Sequence, residues 1–468
     1  MSRARDYRRI SYWMDSVGEE IVPRPFLEGE VEADVAIVGA GYTGLWTAYY
    51  LKQADPAVRV VVLEREVAGF GASGRNGGWC SALFAVSDSR LAELFGNDTM
   101  RAMRRAMNET VDEVGRVVEA ESIDCHFRKA GTVDAARSPA QLEALRAEVE
   151  QARRLGLPEE DLRFIGPEEM KELFATTKVL GGTFTPHCAS VHPARLARGL
   201  ASRVEAQGTT IFEQTEVRQI LPRAGVFATI ITKDGRVSAR NVVLATEGFT
   251  AELPGLERTV VPIYSLMVAS APLGEERVQS LGTALAAGAT FTDGRHLLVY
   301  GQVTPDGRLA FGGRGAPYHY GSKTRDEFGN DQRVHPLLEE AARQLFPQLG
   351  AITFTHRWGG PIGAHRDWFP SVLHDPASGL ASAGGYVGDG VSTTNLAGRT
   401  LADLLLSKPS EITALPWVGH QSPSWEPEPL RWAGINAGLR ATALADAIES
   451  RTNRPSRIAK VIGRLTGA

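Results

Sequence analysis

Between Asp34 and Glu64 the chain carries an order of residues that few local folds can satisfy. Val35-Ala-Ile-Val38 is a β-branched, apolar run that reads as a buried parallel strand. It stops at Gly39-Ala-Gly41-Tyr42-Thr43-Gly44, before a helical pattern from Tyr42 to Lys52. The G-x-G-x-x-G spacing has a mechanical reason at each glycine. Gly39 permits the tight turn, Gly41 removes a Cβ where a pyrophosphate would approach, and Gly44 lets the helix lie on the strand. The helix N-terminus then points free N–H groups at the phosphates. A second apolar run, Val58 to Leu63, ends in Glu64, twenty residues past Gly44, where a carboxylate can accept both hydroxyls of an adenosine ribose. Strand, turn, helix, strand and acid together specify a dinucleotide-binding βαβ unit.

The next segment bears on which dinucleotide. A nicotinamide dehydrogenase continues into further regular βα units, whereas here Gly69-Phe-Gly71-Ala-Ser73-Gly74-Arg75-Asn76-Gly77-Gly78 follows. So many glycines make neither strand nor helix. They can wrap a long, mostly apolar cofactor, with backbone N–H groups and the Arg75 guanidinium available to its pyrophosphate and ring system. A second glycine-dense turn, Ala383-Gly-Gly385-Tyr-Val-Gly388-Asp389-Gly390-Val391-Ser392-Thr393-Thr394, leads into a helix from Asn395 to Leu406, more than three hundred residues from the first turn. A flavin that accepts hydride becomes an anion over N1 and the C2 carbonyl, and a helix N-terminus aimed there offers N–H donors and a favourable dipole. Asp389 would oppose that charge, so its side chain is expected to point outward.

At 468 residues the chain exceeds one ordinary core, and two intertwined or sequential domains are expected. Residues 1–30 read as a polar lead-in, with Tyr12 and Trp13, laid over the surface of the first domain. Apolar residues recur at helical spacing from Leu91 to Ser122, as one long helix or two stacked ones, and helices follow at 139–155 and 193–207. Asn241-Val-Val-Leu-Ala245-Thr246-Glu247-Gly248 reads as another strand of the parallel sheet. From Val260 to Phe354 the pattern alternates as a strand layer does, with a helix at 334–346. A cofactor domain is therefore expected over 31–85, 180–256 and 355–408, a substrate domain over 86–179 and 257–354, and a C-terminal helical arm over 409–468.

Apolar residues at 43%, charged residues at 23% and a net charge of −4 describe a soluble globular protein with no nucleic-acid partner. No apolar run is long enough to cross a bilayer, and no signal peptide is visible. With only Cys80, Cys125 and Cys188, far apart, these features point to the cytoplasm and to no disulfide framework. Neither His187-Cys188 nor Cys125-His126 has metal-ligand spacing, so no metal is expected.

On Gly39-Ala-Gly41-Tyr42-Thr43-Gly44, Gly71-Ala-Ser73-Gly74-Arg75-Asn76-Gly77-Gly78, Ala245-Thr246-Glu247-Gly248, Phe311-Gly-Gly-Arg314, Trp358-Gly-Gly360 and Gly384-Gly-Tyr-Val-Gly388-Asp-Gly390, the chain resembles the FAD-dependent oxidoreductases of the D-amino-acid-oxidase type. Within them it is most similar to the γ-glutamylputrescine oxidoreductase branch, beside glycine and sarcosine oxidases. The resemblance implies an α/β fold: a Rossmann-like FAD-binding domain of the glutathione-reductase type, interleaved with an α+β substrate domain that carries a mixed or antiparallel sheet. It implies FAD in extended form. Gly39 to Gly44, Glu64 and Arg65 would hold the adenosine and the Val217 backbone the adenine edge. Ser73, Gly74, Arg75, Asn76, Gly77, Gly78, Thr246, Gly248, Gly385 and Gly388 to Thr393 would meet the pyrophosphate and isoalloxazine. The implied reaction is oxidation of a C–N bond in an amine or amino acid by hydride transfer to flavin N5. The imine is then hydrolysed, and O2 reoxidises the flavin to give H2O2.

Such chemistry asks for orientation, a dry pocket and a deprotonated amine, not for a separate acid and base. Tyr264, Tyr300, Arg314, Trp358 and His365 are the candidates for the substrate pocket. Amino-acid-oxidising relatives often carry an Arg just upstream of the strand turn, where this chain has Gln302 and Thr304, so an uncharged or polyamine-derived amine is favoured over a simple α-amino acid. Cys80 lies just past the segment expected at the ring; as a buried, inert thiol it leaves the flavin non-covalent. Three other readings stay open: a dehydrogenase passing electrons to a quinone or protein, a flavin monooxygenase, and a non-catalytic flavoprotein subunit. The sequence does not fix the oligomeric state.

Overall fold

The computed structural model describes residues 5–295, 298–313, 315–452 and 456. Arg314, one of the pocket candidates, lies outside them.

Strand Gly29–Val38 stands near the middle of an eight-stranded sheet, paired in parallel with Gly235–Leu244 on one side and Val60–Leu63 on the other. Leu380–Gly384 and Thr210–Phe212 extend the parallel set outward, and Ser371–Asp375 adds an antiparallel edge. One face packs Val35, Ile37, Val60 and Val62 against helices Tyr42–Ala54, Pro193–Ala206 and Gly390–Leu405, through Leu45, Leu200 and Leu396. The other packs Ala36, Val38, Val61 and Leu63 against Ala228 and Ile230 of an antiparallel ribbon, Val217–Ala224 with Phe227–Thr232. Burial on both faces explains why the central strands are apolar without alternation.

A second eight-stranded sheet runs in the order Phe354–Ala364, Val261–Ser270, Leu309–Gly313, Val299–Val303, Thr290–Thr292, Thr132–Ala136, Gly181–Thr185, Arg163–Ile165. All its pairs are antiparallel except Thr290–Thr292 with Thr132–Ala136. One face buries Val133, Phe291, Phe311 and Val268 against Leu338, Ala342 and Leu345 of helix Val334–Leu345. Successive strand residues point to opposite faces, so Asp134, Thr292, Tyr300, Gln302 and Met267 turn the other way, toward the first sheet unit.

The apolar stretch from Leu91 to Ser122 forms two helices, Asp88–Phe95 and Asn97–Ala120, meeting at Gly96, one of the two forms expected. Three other expectations from the sequence need correcting. Met100, Met103, Met107, Val111 and Val114 share one core with Leu45 and Leu396, so these helices pack on the cofactor unit and not on the substrate sheet. Strand Phe354–Ala364 belongs to the second sheet: it pairs with Val261–Ser270 from Val261 opposite Ala364 to Ser270 opposite Phe354, and Gly181–Thr185 joins the same sheet. Register, which a single sequence does not print, assigns both. Finally, the N-terminal lead-in is no surface strap. Ser11 caps a single helical turn, Tyr12–Asp15, whose Trp13 is 1% exposed and donates through Nε1 to Asn76 O at 2.7 Å. Trp13 also meets Trp358 edge-on at 6.2 Å, so the segment is wedged between the two units.

Among the described residues no helix is long and apolar enough to cross a membrane, and no group of three or more His, Cys, Asp or Glu could hold a metal ion. Helix Leu430–Thr452 closes the described chain on the outside of the molecule, preceded by the buried Trp417 and by Trp425, whose Nε1 donates to Ala364 O at 2.9 Å.

Candidate functional site

At the carboxyl ends of the parallel strands a cleft opens, with about 1240 Å³ of empty space counting its mouth. Open α/β sheets place ligands at this end, where the turns carry no side-chain bulk. Gly39 has φ +108°, and a Cβ there would stand 2.6 Å from Ala245 O. At Gly44 a Cβ would meet Gly39 O at 2.0 Å, so helix Tyr42–Ala54 approaches its strand as closely as the glycine spacing requires. Gly41 gives the helix no side-chain cap, and Ser73 Oγ accepts from Tyr42 N at 2.9 Å. The first N–H groups of this helix therefore open onto the cleft beside a hydroxyl, which is the donor set a phosphate uses.

Glu64 is fixed from both sides: one oxygen accepts from Ala40 N at 2.8 Å and the other from Glu66 N at 2.9 Å. Each carboxylate oxygen has a second lone pair to offer, so two ribose hydroxyls can still be accepted. Burial pushes its carboxyl up from the ordinary value, against the backbone N–H groups that favour the charge. Thr215 N donates to Glu64 O at 2.8 Å, which brings Thr215, Glu216 and Val217 to the same wall. Arg65 pairs with Glu252 at 2.6 Å and lies 4.9 Å over the Phe249 ring at the rim.

The second glycine turn meets the first directly. Tyr386 Oη and Thr43 Oγ1 are 3.0 Å apart, and Gly388, Gly390, Val391 and Thr394 line the same cleft as Gly39, Gly41, Tyr42 and Thr43. The helix expected from Asn395 starts five residues earlier, as Gly390–Leu405, so its first N–H groups belong to the turn itself. Asp389 is not among the lining residues, and its charge acts on the buried Cys188.

Glu247, for which no role was expected from the sequence, ties this region together. Its φ is +44°, and its carboxylate accepts from Gly385 N and Tyr386 N, both at 3.2 Å, and from Gly363 N of the second sheet. One side chain thus clasps the second glycine turn and strand Phe354–Ala364 to the end of Gly235–Leu244. Burial raises its carboxyl to about 7 even though the three N–H groups pull the other way. A lone acid among the small residues of Ala245-Thr246-Glu247-Gly248 was the available signal.

Of the residues expected at the cofactor, Gly39, Gly41, Tyr42, Thr43, Glu64, Arg65, Ser73, Asn76, Val217, Thr246, Gly248, Gly388, Gly390 and Val391 line the cleft. Gly44, Gly74, Gly77, Gly78, Gly385, Ser392 and Thr393 are not among the lining residues. Arg75 also differs from expectation: it is 5% exposed, donates to Phe70 O at 2.8 Å and lies 4.3 Å over the Phe70 ring, between the two units. Burial lowers its pKa to about 10, and Asp326, 3.8 Å away, is its one ion-pair partner among the described residues.

The four described pocket candidates do not line this cleft. Trp358 Nε1 donates to Arg75 O at 2.8 Å, Tyr264 Oη is engaged by the Arg325 backbone, and His365 Nδ1 is 2.8 Å from Phe369 O. These three brace the fold. Tyr300 differs, since it lies over Gly77, where a Cβ would stand 2.4 Å from its ring, with its hydroxyl 2.6 Å from Ser265 Oγ. Gln302 donates to Gly77 O at 2.8 Å and so holds the glycine segment instead of facing a substrate. Cys80 is 0% exposed and is not among the residues that line the cleft, and burial pushes its thiol well up.

Comparison with known proteins agrees with this geometry. Residues 34–404 match the family model DAO, FAD dependent oxidoreductase. The chain is 28% identical over 417 residues to the gamma-glutamylputrescine oxidoreductase of Escherichia coli, covering 88% of this chain and 92% of that protein. It is 27% identical over 413 residues to a probable oxidoreductase, OrdL, of Haemophilus influenzae, covering 86% and 89%. The crystal structure of glycine oxidase from Geobacillus kaustophilus superposes with a TM-score of 0.70 at 21% identity, over 84% of this chain and all of that one, and shows the same fold.

Proposed function

The chain belongs to the DAO family of FAD dependent oxidoreductases, and from that premise we propose that it oxidises a C–N bond in a small amine. The observation that carries this reading is the single cleft walled by both glycine turns and bounded on its far side by Pro361 and Ile362 of the second sheet. In it, Gly39 to Thr43, Glu64, Arg65 and Val217 hold the adenosine end. Ser73 and the N-terminus of helix Tyr42–Ala54 hold the pyrophosphate. Thr246, Gly248 and the turn from Gly388 to Val391 hold the ring end, with helix Gly390–Leu405 presenting its positive pole. When bound, FAD supplies the two-electron acceptor for the carbon beside the amine nitrogen and passes the electrons to O2, giving H2O2.

The remaining steps belong to the side chains. The sheet face that carries Tyr300 and Ser265 orients the amine over the glycine segment, and the packed interface around Trp13 and Trp358 keeps bulk water out. The imine released is hydrolysed to carbonyl and amine. The relative named for γ-glutamylputrescine supports an amine over a simple α-amino acid. Gln302 adds to this, because it takes up Gly77 O where an Arg would clamp a carboxylate.

The test is an anaerobic screen of amines, polyamines, N-methylamines and D- and L-amino acids against the purified flavoprotein. At least one amine is expected to bleach the flavin, with air restoring the colour and peroxide forming in proportion. Bleaching by a nicotinamide with no response to any amine would overturn the reading.

A further inference from the structure

A second cavity lies among helices Asp88–Phe95, Asn97–Ala120 and Pro139–Arg154 and the loop 82–87, with about 820 Å³ of empty space counting its mouth. It shares no lining residue with the cofactor cleft. Helical spacing builds its walls. Glu148, Gln151, Ala152 and Leu155 recur at steps of three and four, as do Met103, Arg104 and Met107, so each set shares one face of its helix. Leu91, Met103 and Met107, buried to 1% exposure or less, close the floor behind the lining. Leu83, Phe84 and Leu155 keep accessible apolar surface, and Leu83, 46% exposed, stands at the mouth.

The rest of the wall carries three charges that no hydrogen bond joins. Arg104 and Asp88 come only to 3.9 Å of each other, with 17% and 25% of their side chains accessible. Glu148 is exposed and has no ion-pair partner among the described residues, and the charged groups that act on it are Arg104, which favours its ionised form, and Asp88, which opposes it. Two carboxylates against one guanidinium leave this end negative, beside apolar surface. Water satisfies the carboxylates but gains nothing from the apolar wall. A ligand that satisfies both has a cationic head and a compact hydrocarbon body.

We propose that this cavity binds a small organic cation of the alkylammonium class, with its head at Glu148 and Asp88 and its hydrocarbon body on Leu83, Phe84 and Leu155. Arg104 stays with Asp88, which leaves Glu148 as the counter-charge of the ligand. Because the two sites share no wall, the cation held here is not the amine that the flavin would oxidise, and the site stands or falls independently of that reaction.

The experiment titrates the holoenzyme with tert-octylamine, which has no hydrogen on the carbon beside nitrogen and so cannot be oxidised, and with its alcohol analogue, in which a hydroxyl replaces the ammonium. Binding is read by calorimetry and by the shift in melting temperature, on wild type, Glu148→Gln and Leu83→Trp. The amine is expected to bind wild type at a single site, at least about ten-fold tighter than the alcohol. Glu148→Gln removes that preference, and Leu83→Trp, which fills the mouth, weakens both ligands several-fold. Both variants keep the visible flavin spectrum of wild type, since neither position lines the cofactor cleft. An alcohol that binds as tightly as the amine, an amine whose affinity neither variant changes, or absence of binding by both readouts would overturn the proposal.

Discussion

Glu247 shows how much one side chain can hold. Three backbone N–H groups from two separate segments end on its carboxylate, and removing it leaves them without an acceptor in a buried place. Glu247→Ala is expected to lower stability by about 2–3 kcal/mol and to weaken FAD binding at least ten-fold, read by urea denaturation and by quenching of flavin fluorescence. The titration gives a sharper check. Its folded pKa, about 7, lies above the ordinary glutamate value, so the folded chain holds a proton that the unfolded chain releases between about pH 4.5 and 7. The stability linked to that proton is present at pH 4.5 and is lost as pH rises through 7. Melting of the apoprotein should therefore fall across this window more steeply for wild type than for Glu247→Gln. His192, lowered to about 3 by burial, acts in the opposite direction in both proteins and cancels in the comparison. Equal slopes would mean that Glu247 is ionised throughout.

At the scale of elements, the two glycine turns are the device. Helix Tyr42–Ala54 can reach its strand only without a Cβ at position 44, and Gly44→Ala should abolish FAD retention, measured as the flavin-to-protein absorbance ratio after gel filtration. Should that variant not fold, the milder Thr43→Val, which removes the 3.0 Å contact with Tyr386 and a hydroxyl from the cleft wall, should weaken FAD binding several-fold while the chain stays folded by circular dichroism. This level was the most legible in the sequence. Val35 to Val38, the G-x-G-x-x-G spacing and Glu64 each state a local physical requirement, and local requirements survive in a linear string. The second turn was legible as a turn, but its helix start was placed five residues late, because Gly390 to Thr394 lacks the apolar periodicity that marks helix interiors. Membership of strands was the least legible. Trp358-Gly-Gly360 was expected in the cofactor domain and lies on an edge strand of the second sheet, since the pairing partner that puts it there lies about ninety residues upstream. The pocket candidates fared similarly: aromatic and histidine residues chosen for their chemistry proved, in Trp358 and His365, to spend their polar atoms on backbone groups.

Across the whole molecule, hydrogen bonds such as Trp358 Nε1 to Arg75 O and Gln302 Nε2 to Gly77 O join the cofactor unit to the substrate sheet. Trp13 is the clearest: it touches Asn76 of one unit and Trp358 of the other from a segment that belongs to neither sheet. Trp13→Ala is expected to cost about 3–5 kcal/mol in urea denaturation, the range for deleting a fully buried tryptophan. A loss under about 1 kcal/mol would show that the N-terminal segment only rests on the surface. The account as a whole turns on the cleft between the two turns being the seat of FAD. The most direct measurement is the flavin content of the purified protein, taken from the visible spectrum before and after acid precipitation. The account predicts a yellow protein with about one FAD per chain, released into the acid supernatant because no thiol reaches the cleft. A folded chain that is colourless and takes up no added FAD would contradict it.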